Sequence, residues 1–223
     1  SAKPRGEVSS LKEYVSRMKD FQTEIYYISG ENRDLLEHNP KLEYFAKNEV
    51  EVLFLTEPID VFTVPSIQEF DKKPIKSVDK SDIVLKPQDN IVKPEDKLSE
   101  SLLKLFKDTL KDKVEDVVVS KRLVESAATL VTGKDSLDPQ FEKMMRMMQQ
   151  QDNQPASKRI LEINIDHPLI KNLSKLYISD TNNPVIRKCI EQLYEGALFV
   201  DGTLPSSSDF IKRMTELMVR ATS

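Results

Sequence analysis

Residues 11–30 carry a helical pattern that runs directly into a strand pattern. Apolar side chains recur at helical spacing through residues 11–18, and Ser10 with Glu13 forms a capping-box pair in front of them. The sequence Ile-Tyr-Tyr-Ile at residues 25–28 then predicts a buried strand. A short capped helix joined to a buried strand is typical of a layered fold in which helices cover a sheet.

The same alternation continues along the first third of the chain. The strand patterns at residues 25–28, 50–55 and 75–78 are separated by helical patterns at residues 32–46 and 59–70. Strand–helix–strand alternation of this length predicts a small α/β layer with parallel strand pairing.

A charged segment with two prolines, residues 79–96, predicts a linker, and the elements after it follow a different order. We expect helices at residues 98–110, from 139 onward, and at 167–178, 184–200 and 209–222, with strands at residues 114–123, 127–131 and 160–165. Residues 149–157 have the polar composition of a disordered segment. The fold class is therefore α+β overall. Residues 1–90 form a small α/β layer with its linker, and residues 91–223 form an α+β domain that ends in a helical hairpin.

Composition excludes several classes of function. The net charge is −4 and no block of Lys and Arg stands out, which argues against a nucleic-acid partner. The longest apolar runs are only a few residues, so we expect no membrane span. The single cysteine, Cys189, cannot form an internal disulfide and fits a reducing compartment.

Catalytic motifs are missing from the sequence. Phosphate-loop, dinucleotide-binding, nucleophile-elbow and zinc-protease patterns do not occur, and no Cys/His cluster has metal-ligand spacing. The run Asp166-His167-Pro168 predicts a helix start with Asp166 as the N-cap, and Cys189 is interpreted as a buried packing thiol.

Gly30 lies between a strand and a helix, where α/β folds bind phosphate. Glu31 stands at the helix entrance, and its negative charge competes with an anion for the same amide groups. A small α/β enzyme or binding domain for an anionic metabolite near Gly30 stays open as an alternative function.

Four of the seven methionines lie between residues 144 and 148, on the helix that starts at Asp138-Pro139. Methionine is flexible and polarizable and adapts to varied apolar partners. With Phe141, these side chains cover more than one side of a helix. The helix either packs on its own sheet or offers a promiscuous binding face.

The last two helices also carry more apolar surface than one hairpin can bury. Two helices of this length bury one stripe on each other and on the domain, and the remaining stripe needs another partner. Pairing of two copies into a four-helix bundle is the simplest solution, and a monomer that buries everything internally is the alternative.

Six short segments have distinctive amino-acid sequences that occur in a characteristic order. They are LKEYVSRM at residues 11–18, IYYISG at 25–30, EVLFLTEPID at 51–60, EFDKKPIKSV at 69–78, VVVSKRL at 117–123 and LEINIDHPLIKNL at 161–173. With these segments the chain resembles the ninety-kilodalton heat-shock chaperone family almost from end to end. The resemblance implies the C-terminal part of the middle domain followed by the C-terminal dimerisation domain.

The resemblance also implies roles for the two apolar surfaces. The methionine helix corresponds to the family's exposed amphipathic helix, which is proposed to touch client proteins; the residues are Leu137, Phe141, Met144, Met145, Met147 and Met148. Residues 184–200 and 209–222 match the helix pair of the constitutive homodimer; the interface residues are Ile186, Ile190, Leu193, Tyr194, Ala197, Phe210, Met214, Leu217 and Met218. A dimeric adaptor without client contacts stays open as a further alternative.

Two departures from the family shape the expected function. The family binds ATP and magnesium in an N-terminal domain, and the middle-domain arginine that reaches the γ-phosphate would lie upstream of Ser1. We therefore expect no cofactor, catalytic residue or ATP hydrolysis in this chain. The acidic tail that recruits cochaperones in eukaryotic cytosolic members is also missing, so we expect no partner of that kind. The amino-acid sequence around residues 51–78 looks closest to the mitochondrial paralogue. This similarity predicts a location in the mitochondrial matrix; the bacterial or eukaryotic cytoplasm is the alternative.

Overall fold

A computed structural model describes residues 7–83, 97–148 and 157–222. The predicted linker falls mostly outside these residues, and so does nearly all of the polar segment 149–157. The chain divides into two compact units, one comprising Ser1–Gln88 with Thr132–Ser157 and the other Asp89–Val131 with Lys158–Ser223. The first unit thus takes up a segment, 132–157, that the sequence pattern grouped with the second half.

The described helices and strands alternate along the chain. In order, the helices are α1 (Leu11–Ser16), α2 (Arg33–Glu37), α3 (Glu43–Lys47), α4 (Asp60–Thr63), α5 (Lys97–Leu110), α6 (Pro139–Met148), α7 (Pro168–Ser179), α8 (Pro184–Val200) and α9 (Ser207–Ala221). The strands are β1 (Ile25–Ser29), β2 (Leu53–Leu55), β3 (Glu69–Phe70), β4 (Lys73–Ser77), β5 (Asp116–Val119), β6 (Ala128–Val131) and β7 (Ile160–Ile163). Short 3-10 turns occupy Pro40–Leu42 and Val64–Ser66. The α+β fold class is confirmed.

The sheet of the first unit has the strand order β2-β1-β4-β3. Strand β1 pairs in parallel with β2 and with β4, as the alternation of elements predicts, and β3 pairs antiparallel with β4. All five residues of β1 are buried, because a central parallel strand is covered on both faces.

Helix α1 is fixed to this sheet through Tyr14. The capping box at its start is present, with the Glu13 amide donating to Ser10 Oγ (3.2 Å) and the Ser10 amide donating to Glu13 Oε2 (3.1 Å). The buried hydroxyl of Tyr14 donates to the Glu51 carbonyl (2.6 Å) and accepts from the Tyr26 amide (3.1 Å). Burial raises the pKa of Tyr14 to about 12.

The sequence pattern predicts a helix at residues 59–70 that Pro65 bends or splits; the split is confirmed, and the helix is wrong only beyond Ser66, where strand β3 begins at Glu69. Helix α4 ends at Thr63, and a 3-10 turn containing Pro65 follows, since proline lacks the amide that would continue the helix. Strands β3 and β4 then form a hairpin through Asp71 and Lys72, which both have positive φ (47° and 59°). Hairpin turns with positive φ at both central residues normally contain Asn-Gly. The Asp-Lys pair therefore gives only a weak sequence signal for a hairpin.

The second unit contains a three-stranded sheet of order β5-β7-β6. Central strand β7 pairs in parallel with β5 and antiparallel with β6. Helices α5, α7 and α8 pack their apolar sides on this sheet; the most deeply buried side chains are Phe106, Leu110, Leu161, Ile163 and Ile190.

The N-cap of α7 is His167 and not Asp166. Nδ1 of His167 accepts the Leu169 amide (3.1 Å), and Pro168 occupies the first helical turn. The predicted helix start is thus confirmed, and the identity of the capping side chain is corrected. His167 was the less obvious candidate because Asp is among the preferred capping residues.

Candidate functional site

Helix α6 has no buried residue, although five of its ten residues are Phe or Met. Met147 and Met148 are 61% and 69% exposed, and Leu137 just before the helix is also exposed. Phe141, Met144 and Met145 are half-buried. We refer to Met144, Met145, Met147 and Met148 together as the Met surface.

The start of α6 is anchored by the buried carboxylate of Asp138. Its Oδ1 accepts the backbone N–H of Gln140 (2.9 Å) and the hydroxyl of Ser29 (3.1 Å), and its Oδ2 accepts the hydroxyl of Ser77 (3.3 Å). Burial, reinforced by the negative charge of Asp79, raises the pKa of Asp138 above its usual range. One side chain therefore caps α6 and ties it to β1 and β4.

Two lysines hold the segment around this anchor. Lys41 and Asp79 form a buried ion pair, with side chains 2% and 7% exposed. Lys80 donates to the carbonyl of Lys134 (3.0 Å) and to that of Ser136, and burial lowers its pKa. The loop that leads into α6 is thereby fixed by contacts that do not involve the Met surface.

Helix α6 packs partly within the first unit, and Met147 and Met148 at its C-terminal end stay exposed. The ring of Phe141 meets that of Phe62 edge to face at 5.7 Å, and Lys143 pairs with Glu31 (2.7 Å). Met144 and Met147 line an apolar groove of about 80 Å³; its other walls include Gly30, Leu55, Thr56 and Pro58. Packing on the first unit and exposure to solvent therefore both apply to this helix, and Met147 takes part in both.

The surroundings of Gly30 give no support to an anion site. The Gly30 amide donates to the Leu55 carbonyl (3.1 Å), so it is already used within the protein. Helix α2 is only five residues long, and its N-cap Asn32 accepts the Asp34 amide. A Cβ at Gly30 would lie 2.8 Å from Leu36 Cδ2, so the glycine is explained by close packing.

Helix α9 likewise has no buried residue. Its outer side exposes Ile211, Met214, Met218 and Val219, and we call these four residues the α9 face. The opposite side packs on α8, where Phe199 stacks on Phe210 with ring centroids 5.9 Å apart. Arg213 pairs with Glu191 (3.1 Å) and with Glu195, and Lys188 pairs with Glu216 (2.5 Å).

The structure separates the predicted interface residues into four groups by burial. Ile186, Ile190 and Ala197 are buried in the core of their own unit, and Leu193 and Tyr194 pack against that core. Phe210 and Leu217 are half-buried, while Met214 and Met218 are exposed. Ile211 and Val219 are further exposed apolar residues of α9 that the prediction does not include, because an apolar pattern on most sides of a helix does not show which side is exposed.

Three further predictions concern Cys189, metal binding and membrane spans. Cys189 is half-buried, and burial raises the pKa of its thiol. Among the described residues, no group of His, Cys, Asp and Glu could hold a metal ion. Within those same ranges no helix is both long and apolar enough to cross a bilayer.

Comparison with known proteins gives consistent matches. The family model described as Hsp90 protein matches residues 1–223. The chaperone protein HtpG of Chlorobium phaeobacteroides is 51% identical over 220 residues, which cover 97% of this chain and 35% of that protein. HtpG of Chlorobaculum tepidum is 49% identical over 223 residues, with 97% of this chain and 35% of that protein covered. HtpG of Geobacter metallireducens is 39% identical over 221 residues, covering 96% and 34% respectively.

Two facts follow from these matches. The chain spans about a third of the length of the curated relatives it matches. These relatives are bacterial, so they give no support to the mitochondrial assignment and fit the bacterial alternative better.

Proposed function

The chain belongs to the Hsp90 protein family, and on that premise we propose that it is the dimerising and client-holding part of an ATP-dependent molecular chaperone. One observation carries the proposal. Helices α6 and α9 are rich in apolar residues, yet none of these side chains is fully buried and several remain exposed. Each helix therefore keeps an apolar surface that is available to another polypeptide.

The Met surface suits clients of varied sequence. Its side chains have unbranched, polarizable thioethers that adapt to irregular apolar partners. The Asp138 anchor holds the start of α6 without using these methionines, so the surface can change its contacts while the helix stays in place. We propose Met147 and Met148 as the main client contacts, with Met144, Met145, Phe141 and Leu137 at the edge.

The α9 face suits a second copy of this chain. Homodimers bury apolar side chains on a two-fold axis, and two α8–α9 hairpins would form a four-helix bundle. In this proposal Ile211, Met214, Met218 and Val219 pack across the axis, with Phe210 and Leu217 beside them. Joining two arms at one end raises the effective concentration of their other ends, which favours transient closure around a client.

The remaining steps belong to the longer protein. We propose that ATP and magnesium bind outside this chain, and that this chain hydrolyses no ATP itself. We also propose a bacterial cytoplasmic location, because the similar relatives are bacterial HtpG proteins.

Aggregation of a model client tests the client surface. The 223-residue chain is mixed with a thermally unfolding client, and light scattering follows the aggregate. Met147→Gln with Met148→Gln should weaken suppression several-fold, because a polar amide replaces an exposed thioether.

The matched control is Met147→Leu with Met148→Leu, which keeps the apolar area and should keep most of the suppression. Circular dichroism checks that both variants remain folded. Equal suppression by the Gln and Leu variants would leave the dimeric adaptor without client contacts as the better account.

A further inference from the structure

We propose that Met147 and Met148 form a reversible oxidation site through which peroxide turns off the Met surface. The inference rests on the proposed client-binding function and adds a regulatory chemistry to it. Methionine thioethers are oxidised by peroxides to sulfoxides, and reductases specific for the two sulfoxide epimers reverse the reaction.

Exposure divides the four methionines of α6 into two pairs. Met147 and Met148 are 61% and 69% exposed, whereas Met144 and Met145 are half-buried. Because oxidation requires contact between sulfur and a solvent-borne oxidant, the exposed pair should react first. Met18 in the first unit is also half-buried and provides an internal reference.

The remaining exposed methionines lie on the α9 face. Met214 and Met218 are exposed in the single chain, and the proposed dimer covers them. In the dimer, Met147 and Met148 are therefore the most accessible thioethers of the chain.

The chemical step is a two-electron oxygen transfer. The thioether sulfur attacks one oxygen of hydrogen peroxide, the S–O bond forms and the O–O bond breaks. Sulfur is oxidised by two electrons, and the departing hydroxide takes a proton and leaves as water. In the reverse step two thiols of a methionine sulfoxide reductase become a disulfide, and the sulfoxide oxygen leaves as water.

Oxidation changes the surface without removing what holds the helix. The sulfoxide is polar, and on Met147 it would stand in the groove beside Leu55 and Pro58. The hydrogen bonds of Asp138 and the contact of Phe141 with Phe62 involve neither methionine. Helix α6 should therefore stay folded while the exposed C-terminal end of the Met surface becomes polar.

The test maps and reverses the oxidation in the full 223-residue chain. Trypsin cuts after Lys143 and Arg146, so Met144 with Met145 and Met147 with Met148 lie on separate peptides for mass spectrometry. With limiting hydrogen peroxide, we expect Met147 and Met148 to oxidise several-fold faster than Met18 and Met144. Suppression of client aggregation should fall several-fold and return after treatment with methionine sulfoxide reductases A and B and dithiothreitol.

The variant Met147→Leu with Met148→Leu makes the assignment specific. Leucine is apolar and cannot be oxidised by peroxide, so the suppression that this variant shows before treatment, whatever its level relative to the parent, should not change after the same treatment. Oxidation that spares Met147 and Met148, or an equal loss of suppression in the leucine variant, would overturn the proposal. If the untreated chain suppresses no aggregation, the client function fails, while the oxidation map still supports or overturns the oxidation site.

Discussion

The hydroxyl of Ser29 donates a hydrogen bond of 3.1 Å to the carboxylate of Asp138, although the two residues are 109 positions apart. The bond joins the end of the central strand β1 to the start of α6. The same carboxylate caps the helix, so a buried polar contact in the sheet determines where an exposed apolar helix begins.

Loss of this carboxylate should loosen α6 more than the rest of the first unit. Asp138→Ala removes the N-cap and leaves the buried hydroxyls of Ser29 and Ser77 without their acceptor. The free energy of unfolding should therefore fall by about 1–3 kcal/mol. Hydrogen exchange should accelerate in residues 139–148 above all. Asp135→Ala, at an exposed position in the preceding loop, is the control and should change neither quantity.

The raised pKa of Asp138 predicts a pH dependence of defined sign. The folded protein binds this proton more tightly than the unfolded chain, whose value is near 3.8. The contribution to stability is therefore complete below about pH 4 and is lost as the pH rises through the raised pKa.

In the Asp138→Asn variant the side-chain amide does not titrate, so the proton linkage at this position is removed. The stability of this variant relative to the parent should increase between pH 4 and pH 8 in urea unfolding curves. The cause is burial of the charged form, which Asp79 makes less favourable and Lys80 partly offsets. A relative stability that decreases over this range would contradict the assignment.

The buried ion pair of Lys41 and Asp79 should be sensitive to removal of one partner. Lys41→Met leaves the Asp79 charge buried without its ammonium, and the free energy of unfolding should fall by about 3–5 kcal/mol. Adding Asp79→Asn should recover part of this loss. Lys47→Met, at an exposed position on α3, serves as the control in the same urea titration.

Much of the scaffold could be predicted from local patterns. The capping pair Ser10 and Glu13 and the apolar run at 25–28 act over a few residues, so α1 and β1 were predicted correctly. The β3–β4 hairpin could not be predicted, since Asp71 and Lys72 adopt positive φ without a glycine.

The candidate site was less predictable, because its defining contacts are distant in the sequence. The methionine-rich composition of α6 was visible, but the link from Asp138 to Ser29 and Ser77 has no local signal. For α8, apolar residues on most sides concealed that Ile186 and Ile190 belong to the core of their own unit.

Cys189 should behave as a packing thiol. Burial raises its pKa, so little thiolate is present near neutral pH. The native chain should react with a disulfide reagent such as Ellman's reagent at least tenfold more slowly than the urea-unfolded chain. Equal rates in the two states would show that the thiol is accessible.

Substitution on the α9 face should separate dimers without unfolding the chain. Ile211→Asp places a charge in the proposed interface at a position that is exposed in the single chain, so the monomer should remain folded. Leu193 is unsuitable for this purpose because it packs against the core. Lys175→Asp introduces the same side chain at an exposed position on α7, outside α9, and should leave the dimer intact.

The mass of the unmodified chain in solution tests the central claim most directly. Size-exclusion chromatography with light scattering at micromolar concentration should give twice the chain mass of 25.6 kDa for the parent and for Lys175→Asp, and a single chain mass for Ile211→Asp. A parent that elutes with a mass of 25.6 kDa at this concentration would contradict the account.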